Sequence, residues 1–268
     1  MVNKPIGIID SGIGGLSIWK EIVKELPKES TIYLADSRNC PYGSKSSKEI
    51  YRLTRQLVKF LLSKKVKLIV LACNTITVSC LDKLRKDFPN TPIIGTVPVI
   101  KTAVLKTKNN RIGVLSTVVT AKSKYQKNLI VTFGRGMRVF NIGTDKLVPI
   151  IENGNFKARE MKDVLLEELD PFIKSNIDTL ALGCSHFPFL KKEMQKILGK
   201  KVLILDSSSA IARQVERVLK NNNDLSSYKR PTYLFYTTGD STDFKKISSK
   251  LMGIKFERFI SAVKTINL

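Results

Sequence analysis

Short β-branched apolar runs alternate with amphipathic stretches along nearly the whole chain. "PIGII" (5–9), "TIYLA" (31–35), "KLIVLA" (67–72), "RIGVL" (111–115), "DTLALG" (178–183) and "KVLIL" (201–205) each have the length and content of a buried strand. Between them the period changes to that of a helix. Ile50, Leu53, Leu57 and Phe60 recur at three- to four-residue spacing behind Ser46 and Glu49, a Ser-x-x-Glu pattern that closes a helix N-terminus. Another helix is predicted with Pro188 near its first turn, Leu190, Met194 and Ile197 on one face, and Gly199 beyond its end. Strand–helix alternation of this kind predicts an α/β fold with mainly parallel sheets and flanking helices.

The pattern also repeats. Residues 67–96, "KLIVLACNTITVSCLDKLRKDFPNTPIIGT", lie over 178–207, "DTLALGCSHFPFLKKEMQKILGKKVLILDS", with Cys73 on Cys184. "PIGIIDSGIGG" (5–15) lies over "RIGVLSTVVTA" (111–121), with Asp10-Ser11 on Ser116-Thr117. Any two strand–helix units share some of this pattern, but the coincident cysteines after matching strands favour a true repeat. Two related lobes are expected, the first from residues 1–97 plus 208–268 and the second from 98–207. Ligands of open parallel sheets bind beyond the carboxyl ends of the strands. Asp10-Ser11, Cys73-Asn74-Thr75, Ser116-Thr117 and Cys184-Ser185-His186 all follow a predicted strand directly. They are expected at two facing rims, with the cysteines on opposite sides of one cleft.

Composition then narrows the function classes. The net charge of +23 comes mostly from lysines scattered over helical stretches. No basic tail, zinc finger or aromatic–basic RNA motif stands out, so nucleic acid is not an expected partner, although the field can draw anionic substrates to a cleft. No apolar run approaches the ~18 residues of a membrane span, and "IGII" is too short for a signal segment; a cytoplasmic protein without membrane attachment is expected. Cys40, Cys73, Cys80 and Cys184 form no Cys-x-x-Cys pair, and His186 is the only histidine, so no metal is expected. Isolated cysteines are usually core, which is the reading for Cys80 and Cys40.

Hydrolysis through a cysteine needs one thiolate, a histidine and an oxyanion hole, and gives a second opposed thiol no role. Proton exchange at a stereocentre uses both: one thiolate removes hydrogen from one face and the opposite thiol returns it to the other. Thiols titrating near ~8.5 serve in either role, and both cysteines stand where a strand gives way to a helix. The glycines of "DSGIGG" (10–15) would let a backbone turn approach a substrate carboxylate, but the stretch lacks both the dinucleotide register and the P-loop lysine.

"IGIIDSGIGGLSI", "LADSRNCPYGSKS", "LACNT", "VPIIENG", "LGCSHFPFL" and "TTGD" (237–240) occur in this order, and together they resemble the glutamate racemases of the aspartate/glutamate racemase group. The resemblance covers essentially the whole chain. It implies cofactor-independent interconversion of L- and D-glutamate for peptidoglycan synthesis. It also implies two pseudo-symmetric α/β lobes with the active site in the cleft between them, and often a homodimer. Position by position, Cys73 and Cys184 match the catalytic thiols, and Asp10, His186 and Glu152 match assisting polar residues. Asp10, Ser11, Pro41, Tyr42, Gly43, Asn74, Thr75, Ser185 and His186 match positions that hold the amino acid, joined by Thr117 and Thr120. Two positions depart from the group: Ser185 replaces the usual threonine, and Asn39 stands where many members carry arginine. An aspartate or related amino-acid racemase, or a non-catalytic amino-acid-binding module, is the alternative.

Overall fold

The computed structural model describes residues 4–96, 99–154, 159–260 and 262–268. Among these, ten strands form two sheets. The first contains β1 (Ile6–Asp10), β2 (Thr31–Ala35), β3 (Leu68–Leu71), β4 (Ile93–Gly95), β9 (Tyr233–Thr237) and β10 (Val263–Thr265) in the order β10-β9-β2-β1-β3-β4. The second contains β5 (Arg111–Thr117), β6 (Arg138–Thr144), β7 (Thr179–Gly183) and β8 (Leu203–Leu205) in the order β6-β5-β7-β8. Every pairing is parallel.

The repeat seen in the sequence is a repeat of topology. β2-β1-β3-β4 and β6-β5-β7-β8 have the same order, so β1 answers to β5 and β3 to β7, as the self-alignment places them. Cys73 and Cys184 therefore occupy equivalent places, just past the carboxyl ends of β3 and β7. The lobe junction expected at 97/98 falls outside the described residues.

All six strands predicted from apolar runs form. β1, β2, β3 and β7 are buried throughout and β5 along nearly all its length, which is why they read as continuous apolar segments, whereas β8 is an edge strand with Leu203 exposed. β6, β9 and β10 escape that pattern. β6 is an edge strand, half-exposed along most of its length and interrupted by Asn141 and Gly143. β10 is a three-residue, mostly exposed edge, and β9 builds its buried face from aromatics rather than from a β-branched run.

The predicted helix spans Ser47–Ser63, with Ser46 Oγ accepting the Glu49 N–H at 3.2 Å. Only half of the capping box forms, because the Glu49 carboxylate pairs with Lys45 instead. The second predicted helix is split into a 3-10 turn, Phe187–Leu190, and an α-helix, Lys191–Leu198, ended by Gly199 at φ +81°. On one face of the first sheet, Trp19 stands edge-on to Tyr233, Phe235, Phe256 and Phe259 at centroid distances of 5.3–5.8 Å. Its indole N–H donates to Thr31 Oγ1, so the buried polar edge is satisfied. No helix among the described residues is long and apolar enough to cross a membrane.

A buried ion pair ties the segment after residue 221 back to the start of β3. Lys67 Nζ lies 2.7 Å from Glu29 Oε2 and also donates to the Asp224 carbonyl, while Glu29 Oε1 accepts the Ser226 N–H. Both side chains are almost wholly buried. Lys67→Ala strands the carboxylate and is expected to cost about 3–5 kcal/mol, measured by urea denaturation; an unchanged midpoint would contradict this.

Candidate active site

β1 ends on Asp10, whose side chain is completely buried. Oδ1 accepts the Gly12 N–H at 2.9 Å, closing the turn into the following helix, and Oδ2 accepts the Ser185 hydroxyl at 2.9 Å from the second sheet. Burial raises the Asp10 pKa; the positive His186 and these two hydrogen bonds work against it without cancelling it.

Cys73 is the N-cap residue of the helix Asn74–Asp87. Its Sγ lies 3.6 Å from Ser11 Oγ. Burial, reinforced by the Asp10 carboxylate, pushes the thiol up to about 12, against the opposing pull of the Ile76 N–H and Ser11. Negative charge on Cys184 adds to the rise. Beside Cys73, the Asn74 amide is buried and its Nδ2 has no hydrogen-bond partner. Such a group in a native fold calls for a ligand or water to pair with it. Thr75, Thr117 and Thr120 add three clustered hydroxyls, with Thr117 Oγ1 2.9 Å from each of the other two.

Gly43 packs against Thr117; a Cβ there would meet Thr117 Cβ at 3.2 Å. The preceding Tyr42 does not turn its hydroxyl to the thiols but donates it to Asp36, which also accepts from Thr238 Oγ1 and Asn39 Nδ2. Asp36 thus anchors the Pro41–Gly43 segment, a role not read from the sequence; the available signal was a lone carboxylate directly after β2. Asn39, where many glutamate racemases carry arginine, supplies a neutral amide to this anchor and no salt bridge.

Cys184 follows β7, and its Sγ lies 3.8 Å from His186 Nδ1. His186 Nε2 is 2.5 Å from Glu152 Oε1, and the same oxygen accepts the Ile13 N–H at 2.8 Å. Burial alone would lower the His186 pKa, but its contacts with Cys184, Cys40 and Glu152 prevail and raise it well above the usual histidine value. The glycines of "DSGIGG" have a specific use here. A Cβ on Gly14 would lie 2.3 Å from His186 Nδ1, and one on Gly12 would lie 2.0 Å from Glu152 Oε1. Their first requirement is space for the His186–Glu152 pair. Ser17 adds a tie across the sheets, donating to the Ser185 carbonyl at 2.9 Å.

The expected site residues form linked groups after β1, β3, β5 and β7: Asp10 with Ser185, Ser11 with Cys73, Cys184 with His186 and Glu152, and Thr75 with Thr117 and Thr120, Gly43 packing on Thr117. Asn74 has its amide unpaired, and the Tyr42 hydroxyl is engaged with Asp36. Cys80 is core, its thiol donating to the Ile76 carbonyl at 3.3 Å. Cys40 is half-buried, and its sulfur, a Glu152 oxygen and a His186 ring nitrogen all lie within 4.8 Å of one another. The arrangement is two buried thiols, each with a hydrogen-bonding partner, bordered by an orphan amide and hydroxyls. It suits two-sided proton transfer to a small polar molecule held between the sheets.

Comparison with known proteins leads the same way. The sequence pattern of the Asp/Glu/Hydantoin racemase family matches residues 6–215. A glutamate racemase of Lactococcus lactis subsp. cremoris (strain SK11) is 37% identical over 257 residues, 95% of this chain and 94% of that protein. The crystal structure of glutamate racemase isoform RacE1 from Bacillus anthracis superposes with a TM-score of 0.88 at 31% identity, covering 100% and 99% of the two chains. That of the Francisella tularensis subsp. tularensis SCHU S4 glutamate racemase, in complex with D-glutamate, gives 0.86 at 32% identity, covering 100% and 98%.

Because His186 is the only histidine, its titration can be followed as one imidazole signal by NMR. Glu152→Gln should move the His186 pKa downward. The native pKa lies above the unfolded value of about 6.5, so the stability this group contributes is complete below that pH. It is lost as pH rises through the raised native value. A titration unchanged by Glu152→Gln would refute the pairing.

Proposed function

The chain belongs to the Asp/Glu/Hydantoin racemase family as a glutamate racemase, and from that premise we propose that Cys73 and Cys184 are its two acid–base groups. The observation that carries this assignment is their equivalence: each cysteine follows the same strand of a repeated sheet, with polar side chains beside each sulfur. Residues 1–97 plus 208–268 and residues 98–207 form the two lobes that present them. The substrate is L- or D-glutamate, the latter being the ligand held by the Francisella relative, and the product D-glutamate serves peptidoglycan synthesis.

In one direction Cys184, as thiolate, takes the α-hydrogen, and the Cys73 thiol returns a proton to the opposite face. In the other direction the roles exchange. Burial serves this chemistry twice. It keeps Cys73 protonated at neutral pH, ready as an acid, and it makes the thiolate formed there a stronger base than an exposed one. Asp10 acts on the Cys73 side. On the Cys184 side an imidazolium, held by Glu152, faces the sulfur and stabilises negative charge developing on it.

Asn74, Thr75, Thr117, Thr120, Ser11 and Ser185 supply the donors and acceptors that hold the zwitterion, with Pro41, Tyr42 and Gly43 closing one side. The orphan amide of Asn74 is the group most in need of that substrate. Hydrogen bonds to the α-carboxylate lower the cost of the carbanion, or of the concerted transition state that avoids it.

Cys73→Ser and Cys184→Ser should each lower racemisation in both directions by about 10²–10⁴-fold, followed by optical rotation, with unchanged far-ultraviolet circular dichroism. Near-native turnover by either variant would reject the two-thiol assignment and favour a one-cysteine chemistry.

A further inference from the structure

Cys40 is neither of the two acid–base thiols, yet it sits beside the His186–Glu152 pair assigned to support one of them. It follows β2 and precedes the Pro41–Gly43 segment, whereas Glu152 closes the helix Leu147–Glu152 and His186 follows β7. Three separate segments thus bring a thiol, a carboxylate and an imidazole together, with donor atoms within 4.8 Å of one another. Cys40 is half-buried and the Glu152 side chain is 18% exposed, while the His186 ring is almost wholly buried.

This is the donor set of a zinc-type cation. Sulfur, nitrogen and oxygen donors at about 2.0–2.3 Å from a tetrahedral ion leave one position for water. A single carboxylate is a poor site for magnesium or calcium, which prefer several oxygen ligands. Small movements convert the cluster: the His186–Glu152 hydrogen bond opens from 2.5 Å and the Cys40 sulfur closes in. The ion replaces the Cys40 thiol proton and one imidazole proton, both released to water.

We propose that Cys40, Glu152 and His186 form an inhibitory site for a zinc-type divalent cation, which removes the helper pair from Cys184 when it binds. The inhibitory consequence rests on the helper role given to His186 and Glu152; the binding itself does not.

Two measurements separate those parts. Cobalt(II) added to the glutamate-free protein should bind in one equivalent, with a thiolate-to-metal charge-transfer band that disappears in Cys40→Ala. Zinc chloride should suppress racemisation at least about tenfold and EDTA should restore it. Cys40→Ala should racemise without added metal and need at least about tenfold more zinc for the same loss. A cobalt band and zinc sensitivity that persist in Cys40→Ala would place the metal on Cys73 or Cys184 and overturn the proposal, as would a native protein with no cobalt band. A band that depends on Cys40, together with activity indifferent to zinc, would overturn the inhibitory role.

Discussion

The Asp10 carboxylate is wholly buried between its own turn and the Ser185 hydroxyl, and the geometry of the site follows from that bridge. One oxygen shapes the turn leaving β1; the other reaches the loop that carries Cys184 and His186. A charge in that position is costly unless it is hydrogen-bonded, and both of its oxygens are. The bridge joins the sheet that carries Cys73 to the loop that carries Cys184. It also sets negative charge beside Cys73, which adds to the effect of burial in holding that thiol protonated.

The rest of the site divides along this bridge. On one side Cys73 has a helix N-terminus, Ser11 and Asp10. On the other Cys184 has a histidine whose positive charge is sustained by Glu152. The symmetry of the fold does not extend to the groups around the sulfurs, a carboxylate near Cys73 and an imidazole beside Cys184. Such a pair suits a reaction whose two directions run through the same intermediate but begin with opposite protonation of the sulfurs. Gly12 and Gly14 let the imidazole and Glu152 approach the β1 turn, so two side chains that follow strands of the second sheet reach the turn leaving the first.

Much of this could be read in the chain because it depends on local order. A buried strand followed by a small residue and a cysteine, found twice, places both thiols and announces the repeat. What could not be read depends on approach in three dimensions. Asp36 looks like any carboxylate after a strand until Tyr42, Asn39 and Thr238 converge on it. Cys40 looks like core until Glu152 and His186 arrive beside it. The glycines of residues 12–15 suggest a cradle for a ligand, and only the structure shows that the protein's own side chains fill the space. β6 and β10 went unread because edge strands need not be apolar, and β9 because its buried residues are aromatic.

The central claim is that hydrogen leaves one face of the substrate to one thiol and returns to the other face from a second. Its most direct measurement is early-time racemisation of L-glutamate in heavy water, with deuterium at the α-carbon counted separately in the two enantiomers. Two thiols predict that the first D-glutamate formed carries deuterium while the remaining L-glutamate still carries protium; the reverse reaction should show the mirror result. Deuterium entering unreacted L-glutamate as fast as product, or protium carried over into D-glutamate, would show a single base serving both faces and contradict the account.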